Sequence, residues 1–204
     1  MSWYEDQVLP RFIDVALGGS QFAKLRGRVA GQLDGEVLEI GFGSGRNVPH
    51  YPSSVTRVFA VEPSEVGRTL ASKRVEASPV PVEHVGLDGQ ALTLDDESVD
   101  CVLSTWTLCT IPQVDVALTE VRRVLRPGGR LYFLEHGRAD RDHVVRWQDR
   151  LTPIQRRVAG GCHLNRPIDS LIRDADLDVT HVSNYYLKGP KPLGYMYEGV
   201  ARKG

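Results

Sequence analysis

The sequence predicts an α/β fold, a doubly wound and mostly parallel sheet covered by helices. Two observations carry this prediction and a third bounds it. Short apolar runs at 36–41, 57–61, 80–86, 99–104 and 130–134 alternate with helical patterns, as βαβ units with right-handed crossovers do. The first run ends in glycine at every second position, Gly41, Gly43 and Gly45. Backbone without a Cβ bends tightly and lies close to a ligand, and open α/β sheets bind ligands at the carboxyl ends of their strands. The length of 204 residues, with 41% apolar and 25% charged residues, suits one globular, soluble domain over 1–204 with a sizeable core.

In chain order, residues 3–31 read as a helical cap of one or two helices. Val8, Phe12, Val15 and Ala16 recur at helical spacing, as do Phe22, Leu25 and Val29, and Gly18 with Gly19 separates the two sets. The runs 36–41 and 57–61 are the first strands, and the stretch 64–76 is a helix. The stretch 113–124 is another, with Val114, Leu118, Val121 and Leu125 as its core stripe. Pro127 ends that helix because it lacks a donor and restricts its neighbour, and Gly128 with Gly129 turns the chain into the run 130–134. Residues 138–175 form a helical insertion over the substrate side, before two further strands at 177–184 and 195–202. In its first helix, about 141–157, Arg141, Arg146, Arg150, Arg156 and Arg157 make a solvated face over Val144, Val145, Trp147, Leu151 and Ile154. The same composition suits contact with a membrane surface, which is not the favoured reading.

The net charge is −1, from 25 basic and 26 acidic residues, which argues against a nucleic-acid footprint. The first residues carry neither a basic region nor an apolar one, so no secretory signal is expected. No apolar run approaches the roughly 20 residues of a membrane helix. Three cysteines, Cys101, Cys109 and Cys162, lack framework spacing, and a reducing cytoplasm fits them best. Cys162 with His163, and His136 and Cys109 elsewhere in the chain, are the residues that could suggest a metal site, but adjacent Cys-His is not a usual zinc spacing and no C-x-x-C pair exists, so no metal is expected.

The glycine turn departs from the dinucleotide fingerprint, which wants glycine where Arg46 stands. Glu39 precedes the glycines and suits a cationic ammonium or sulfonium nearby, directly or through water. Glu62 ends the second run, 21 residues after Gly41, where an acid accepts from both hydroxyls of a ribose. Asp88 follows the third run and suits either an adenine amine or the N-cap of a brief helix. Gly89 beside it lets backbone approach a ring.

Together, Glu39, Gly41, Gly43 and Gly45, then Glu62, then Asp88 to Leu92, Asp96 to Asp100 and Leu125 to Gly129 occur in an order that resembles class I S-adenosylmethionine-dependent methyltransferases of the methyltransferase-11 type. The resemblance covers about 35–136. It implies a Rossmann-like seven-stranded sheet of order 3-2-1-4-5-7-6 with the last strand antiparallel. It also implies S-adenosylmethionine as cofactor, with Glu39, Gly41, Gly43, Gly45, Glu62 and Asp88 lining its site. Asn47, Pro63, Gly89, Thr105 and Trp106 are further candidates there; Trp106 suits equally a contact to the methionine part and closure of the core. His136, at the tip of the fifth run, is the candidate general base.

Phe133 to His136, Trp147, Gln148, Pro153, Gly161 to Arg166, and Gly194 with Tyr195 are similar to the alkyl-thiol methyltransferases of the methyltransferase-like family, as are Asn47, Tyr51 and Pro52. That family methylates small thiols and associates with membranes through an apolar N-terminus, whereas the N-terminus here is short and polar. The expected function is methyl transfer to a small, largely apolar acceptor, with a thiol among the candidates. The alternatives are a phosphatidylethanolamine N-methyltransferase, a quinone-type C- or O-methyltransferase, and a non-catalytic module that binds the cofactor to regulate a partner. The sequence does not specify an oligomeric state.

Overall fold

The computed structural model describes residues 4–204, so the helical start expected at Trp3 lies outside the described residues. A π-helical turn, Tyr4–Val8, leads into helix α1 (Leu9–Ala16) and then α2 (Ser20–Ala30). The predicted break between them falls at Gly18 and Gly19, and Gly18 has a second use. A Cβ there would lie 2.6 Å from the Arg46 guanidinium.

The sheet contains β1 (Gly35–Ile40), β2 (Val55–Val61), β3 (Val82–Gly86), β4 (Val99–Thr105), β5 (Leu125–His136), β6 (Leu177–Tyr186) and β7 (Tyr195–Lys203). Their spatial order is β3-β2-β1-β4-β5-β7-β6. The pairs from β3 to β5 are parallel, and β7 runs antiparallel to both β5 and β6. Helices α3 (Glu65–Glu76), α4 (Val114–Val124), α5 (Asp142–Val158) and α6 (Ile168–Asp174) complete the fold.

Strand alternation builds two apolar layers. Leu38, Val102, Leu131 and Phe133 pack with Leu118 and Val121 of α4 and Ile168 and Ile172 of α6. Val37, Cys101, Leu103 and Tyr132 face the other way, toward Leu25 and Val29 of α2. The central strands are buried on both faces, which is why they read as unbroken apolar runs. Among the described residues, no helix is long and apolar enough to cross a membrane.

Two expectations need correction. Helix α4 ends at Val124, before Pro127 can act, because Leu125 is already extended and pairs with Val99. The pairing then jumps to Cys101 with Arg130, so Pro127 to Gly129 bulge out of β5, with Gly128 at φ +77°. In α5 the packed face is Val144, Val145, Gln148 and Thr152, while Trp147 and Ile154 are 53% and 60% exposed. Gln148 suits burial because its amide accepts from Ala139 N (2.9 Å) and donates to Gly137 O (3.0 Å), which satisfies a polar group that burial alone would penalise.

Candidate active site

The carboxyl ends of β1, β2, β4 and β5 open into one cavity of about 1390 Å³. It lies where the strand order reverses between β1 and β4, the position at which open α/β sheets hold ligands. Helix α1, the last turns of α5 and the segment 160–162 close it. Of the residues singled out from the sequence, Gly41, Gly43, Asn47, Glu62, Pro63, Asp88, Gly89, Thr105, Trp106 and His136 line this one cavity.

The glycine turn makes the floor. Gly41 has φ +73° and a Cβ on it would strike the Thr107 hydroxyl at 2.0 Å. Gly43, at φ +57°, is different, because a Cβ there would meet only Gly41 O, at 3.9 Å. It leaves a bare backbone cradle that a side chain would fill. Gly45 stands behind the wall, where a Cβ would meet Ala71 of α3 at 3.1 Å and Phe42 at 3.3 Å.

Glu62 is 6% exposed and accepts from Gly43 N (2.6 Å) and Ser64 N (2.8 Å). Burial raises its titration and these two bonds oppose the rise. Each oxygen keeps acceptor capacity beyond its single backbone bond. Asp88 is exposed on the rim, where it accepts from Gln90 N (2.8 Å). No helix follows it, so the expected N-cap is instead a local turn. Gly89 beside it is buried, and a Cβ there would lie 2.8 Å from Ile40.

Glu39 also stands behind the wall. It is fully buried, with one carboxylate oxygen accepting from Asn47 Nδ2 (2.9 Å) and the other from the Tyr51 hydroxyl. Glu39 is thus joined to the cavity wall through Asn47, which also donates to Thr105 Oγ1 (2.9 Å). Burial pushes Glu39 up to about 7, against the pull of Tyr51, Asn47 and Arg26.

Trp106 is packed against the core and also lines the cavity. It packs edge-on to Phe22 (5.7 Å) and lines the cavity, held at φ +54°, a conformation rare for a bulky residue. Arg26 lies over its ring at 4.7 Å and donates to Leu17 O (2.9 Å). Sequence reasoning missed Arg26. The signal was available, since it sits four residues after Phe22 on the buried face of α2 with Leu25, Val29 and Ala30. Asp14 was missed as well. It fastens α1 over the glycine turn through Arg46 (2.7 Å), Ser44 and Arg74 (3.5 Å).

At the far end of the cavity, three elements bring Cys109, His136 and Cys162 together. The two sulfurs are 3.7 Å apart, and Cys162 Sγ lies 3.5 Å from His136 Nδ1. Contact with Cys109 and with His136 draws Cys162 down to about 5, while contact with Cys162 and burial push Cys109 well up. The buried carboxylate of Glu135 fixes the loop after β4 by accepting from Ser104 Oγ (2.7 Å), Thr107 N (3.0 Å) and Cys109 N (3.2 Å). The buried Arg166 donates to Leu108 O in the same loop.

These residues fit S-adenosylmethionine. Among the described residues, two buried side-chain atoms lack a partner, Asn47 Oδ1 and Trp106 Nε1. Both belong to residues that line the cavity, one an acceptor and one a donor, as an amino acid's ammonium and carboxylate require. The Gly43 cradle and the Glu62 carboxylate suit a nucleoside at the other end. With α1 fastened above, the glycine turn is a walled seat, and the same cavity extends to the cysteine corner.

A methyltransferase domain family matches residues 38–133. The thiol S-methyltransferase TMT1B of Rattus norvegicus is 34% identical over 134 residues, which is 64% of this chain and 54% of that protein. Its Homo sapiens counterpart is 32% identical over 182 residues, 87% of this chain and 72% of that protein. The chain thus spans from about half to under three quarters of the length of these curated relatives. The phosphatidylethanolamine N-methyltransferase of Cereibacter sphaeroides is 26% identical over 147 residues, 71% of either chain. Among solved structures, a SAM-dependent methyltransferase from Aquifex aeolicus superposes with a TM-score of 0.67 at 19% identity, covering 96% of this chain and 98% of that one, a likeness of fold.

Proposed function

The chain belongs to the S-adenosylmethionine-dependent methyltransferases, and from that premise we propose that it methylates a small, largely apolar thiol. S-adenosylmethionine, when bound, supplies a methyl group made electrophilic by its sulfonium. The cavity residues do the rest. Glu62 and the Gly43 backbone hold the nucleoside end, and Asn47, Trp106 and Arg26 hold the amino-acid end. The acceptor takes the remaining corner, against Cys109, His136 and Cys162, with Leu9, Ile13 and Ile111 as apolar walls.

The observation that carries this reading is the single cavity joining the glycine turn to that corner. At about 1390 Å³ it exceeds the roughly 300–1,000 Å³ of a site for one ligand, so donor and small acceptor fit side by side. Such placement turns a bimolecular reaction into an effectively intramolecular one. A thiol near its own pKa needs little help in losing its proton, so positioning carries much of the catalysis. The similarity to thiol S-methyltransferases supports the same class of acceptor.

A second reading, methylation of phosphatidylethanolamine, draws support from the rim. Phe12 and Val15 of α1 are 63% and 78% exposed, and Phe12 also lines the cavity. One assay separates these readings from each other and from a non-catalytic module. Labelled S-adenosylmethionine is incubated with the protein and short alkyl thiols, phenols, amines or dispersed phosphatidylethanolamine. A labelled methyl thioether with matching S-adenosylhomocysteine is expected. Label on nitrogen or oxygen alone refutes the thiol reading, and tight binding without turnover favours the module.

A further inference from the structure

We propose that Cys109, His136 and Cys162 bind a zinc ion whose fourth position takes the sulfur of the acceptor. Their spacing along the chain forms no metal motif, whereas the fold collects these three from the loop after β4, the end of β5 and the turn after α5. Tetrahedral zinc, with Zn–S near 2.3 Å and Zn–N of 2.0–2.1 Å, sets a sulfur–sulfur edge of about 3.8 Å and a sulfur–nitrogen edge of about 3.6 Å. The two measured edges are 3.7 Å and 3.5 Å. All three ligating atoms lie within 4.8 Å of one another, so the third edge closes with a contraction of at most about 1.2 Å.

The chemistry of the set agrees with its geometry. Two thiolates neutralise a divalent cation, and soft sulfur ligands with imidazole select zinc over calcium or magnesium. Three protein ligands and one open position are the pattern of catalytic zinc sites, two cysteines with a histidine among them. Cys109 and Cys162 are 1% and 4% exposed, yet all three residues line the donor cavity, so the open position faces it. The ligands are also held from behind. His163 N donates to Cys109 O (2.8 Å) and ties the two cysteine segments together, and Glu135 fixes the Cys109 amide. Metal sites depend on such outer support.

The inference rests on the thiol reading for the fourth ligand, but not for the ion itself. As the acceptor's sulfur binds the metal, its proton joins a metal-bound hydroxide, which leaves as water. Transfer forms the S–CH₃ bond and breaks the donor's sulfonium–CH₃ bond, whose electron pair stays on the donor sulfur. The neutral thioether is a weak ligand and departs, and water rebinds with loss of a proton. His136 is then a ligand and not the general base.

The test is an anaerobic titration of the reduced, metal-free protein with Co²⁺, a spectroscopic stand-in for zinc. One equivalent should give sulfur-to-cobalt charge-transfer absorption with intense tetrahedral visible bands, and a short alkyl thiol should shift those bands. Zinc should abolish them. Cys109→Ser and Cys162→Ser should lose the signal, while Cys101→Ser, in β4 away from the corner, should keep it. A folded wild-type protein without cobalt–thiolate absorption overturns the site, as does a signal that survives both Cys109→Ser and Cys162→Ser. Cobalt binding without thiol methylation leaves the ion and removes the thiol as fourth ligand. Thiol methylation at full rate by chelator-treated protein that shows no cobalt signal removes the ion and leaves the thiol reading.

Discussion

Glu39 lies beneath the glycine turn with its carboxylate wholly buried and its titration raised to about 7 from an ordinary 4.5. Between those two values the folded chain holds a proton that the unfolded chain has released. Stability therefore falls as pH rises through that window, and the full cost remains above it. Glu39→Gln removes the cost. Relative to wild type, the variant should gain up to about 3 kcal/mol between pH 5 and pH 8 in denaturant unfolding; an equal difference at both pH values contradicts the assignment. Glu62 makes a different prediction, because it lines the cavity at the glycine turn. Glu62→Ala removes charge-assisted hydrogen bonds of about 1.5–3 kcal/mol, so S-adenosylhomocysteine should bind roughly tenfold to a hundredfold more weakly in calorimetry. At this scale the sequence was legible where function is written locally. The alternating glycines and the acid after the second strand need only spacing to be recognised. The Asp14 network was not legible, because its partners come from segments distant in the chain, and for Cys109, His136 and Cys162 the sequence supplies the residues but not their meeting.

Helix α1 is tied to the glycine turn through the side chain of Asp14. Asp14 accepts from Arg46 and Ser44 and pairs with Arg74; burial pushes it up, but those partners outweigh burial and leave it below its ordinary range. The network is partly buried and worth about 1 kcal/mol. Asp14→Ala should thus speed S-adenosylhomocysteine dissociation roughly fivefold in stopped-flow fluorescence, and an unchanged off-rate would show that α1 does not act as a cover. Elements were legible wherever periodicity matched burial, as in α4, where Val114, Leu118 and Val121 of the predicted stripe lie on the packed face while Leu125 already begins β5. Helix α5 misled because Gln148 and Thr152 occupy its buried face while Trp147 lies outside with Arg150 stacked at 5.6 Å. Hydrophobicity cannot mark a face that is satisfied by hydrogen bonds. The end of α4 misled because Pro127 has a bulge to shape, not a helix to stop.

The whole molecule reads as a doubly wound sheet whose order reverses at β1 and β4, with a ligand seat at that reversal and an antiparallel β7 beside β5. The βαβ alternation and the motif order made the sheet legible from sequence. The placement of the substrate side was less so, since α1, α5 and the 160–162 turn carry no motif that fixes chemistry. A ligand that binds only the native chain stabilises it by about 2.7 kcal/mol at a hundredfold excess over Kd. S-adenosylhomocysteine should therefore raise Tm by roughly 5–10 °C, and NADH should leave it unchanged; the reverse order would point to a dinucleotide site. The most direct measurement is calorimetric titration of S-adenosylhomocysteine into wild type and Gly43→Val, with circular dichroism as the check on folding. One-site binding to wild type, lost in a variant that keeps its unfolding transition, is the predicted result. Equal affinity in the two proteins would contradict the seat at the glycine turn and everything built on it.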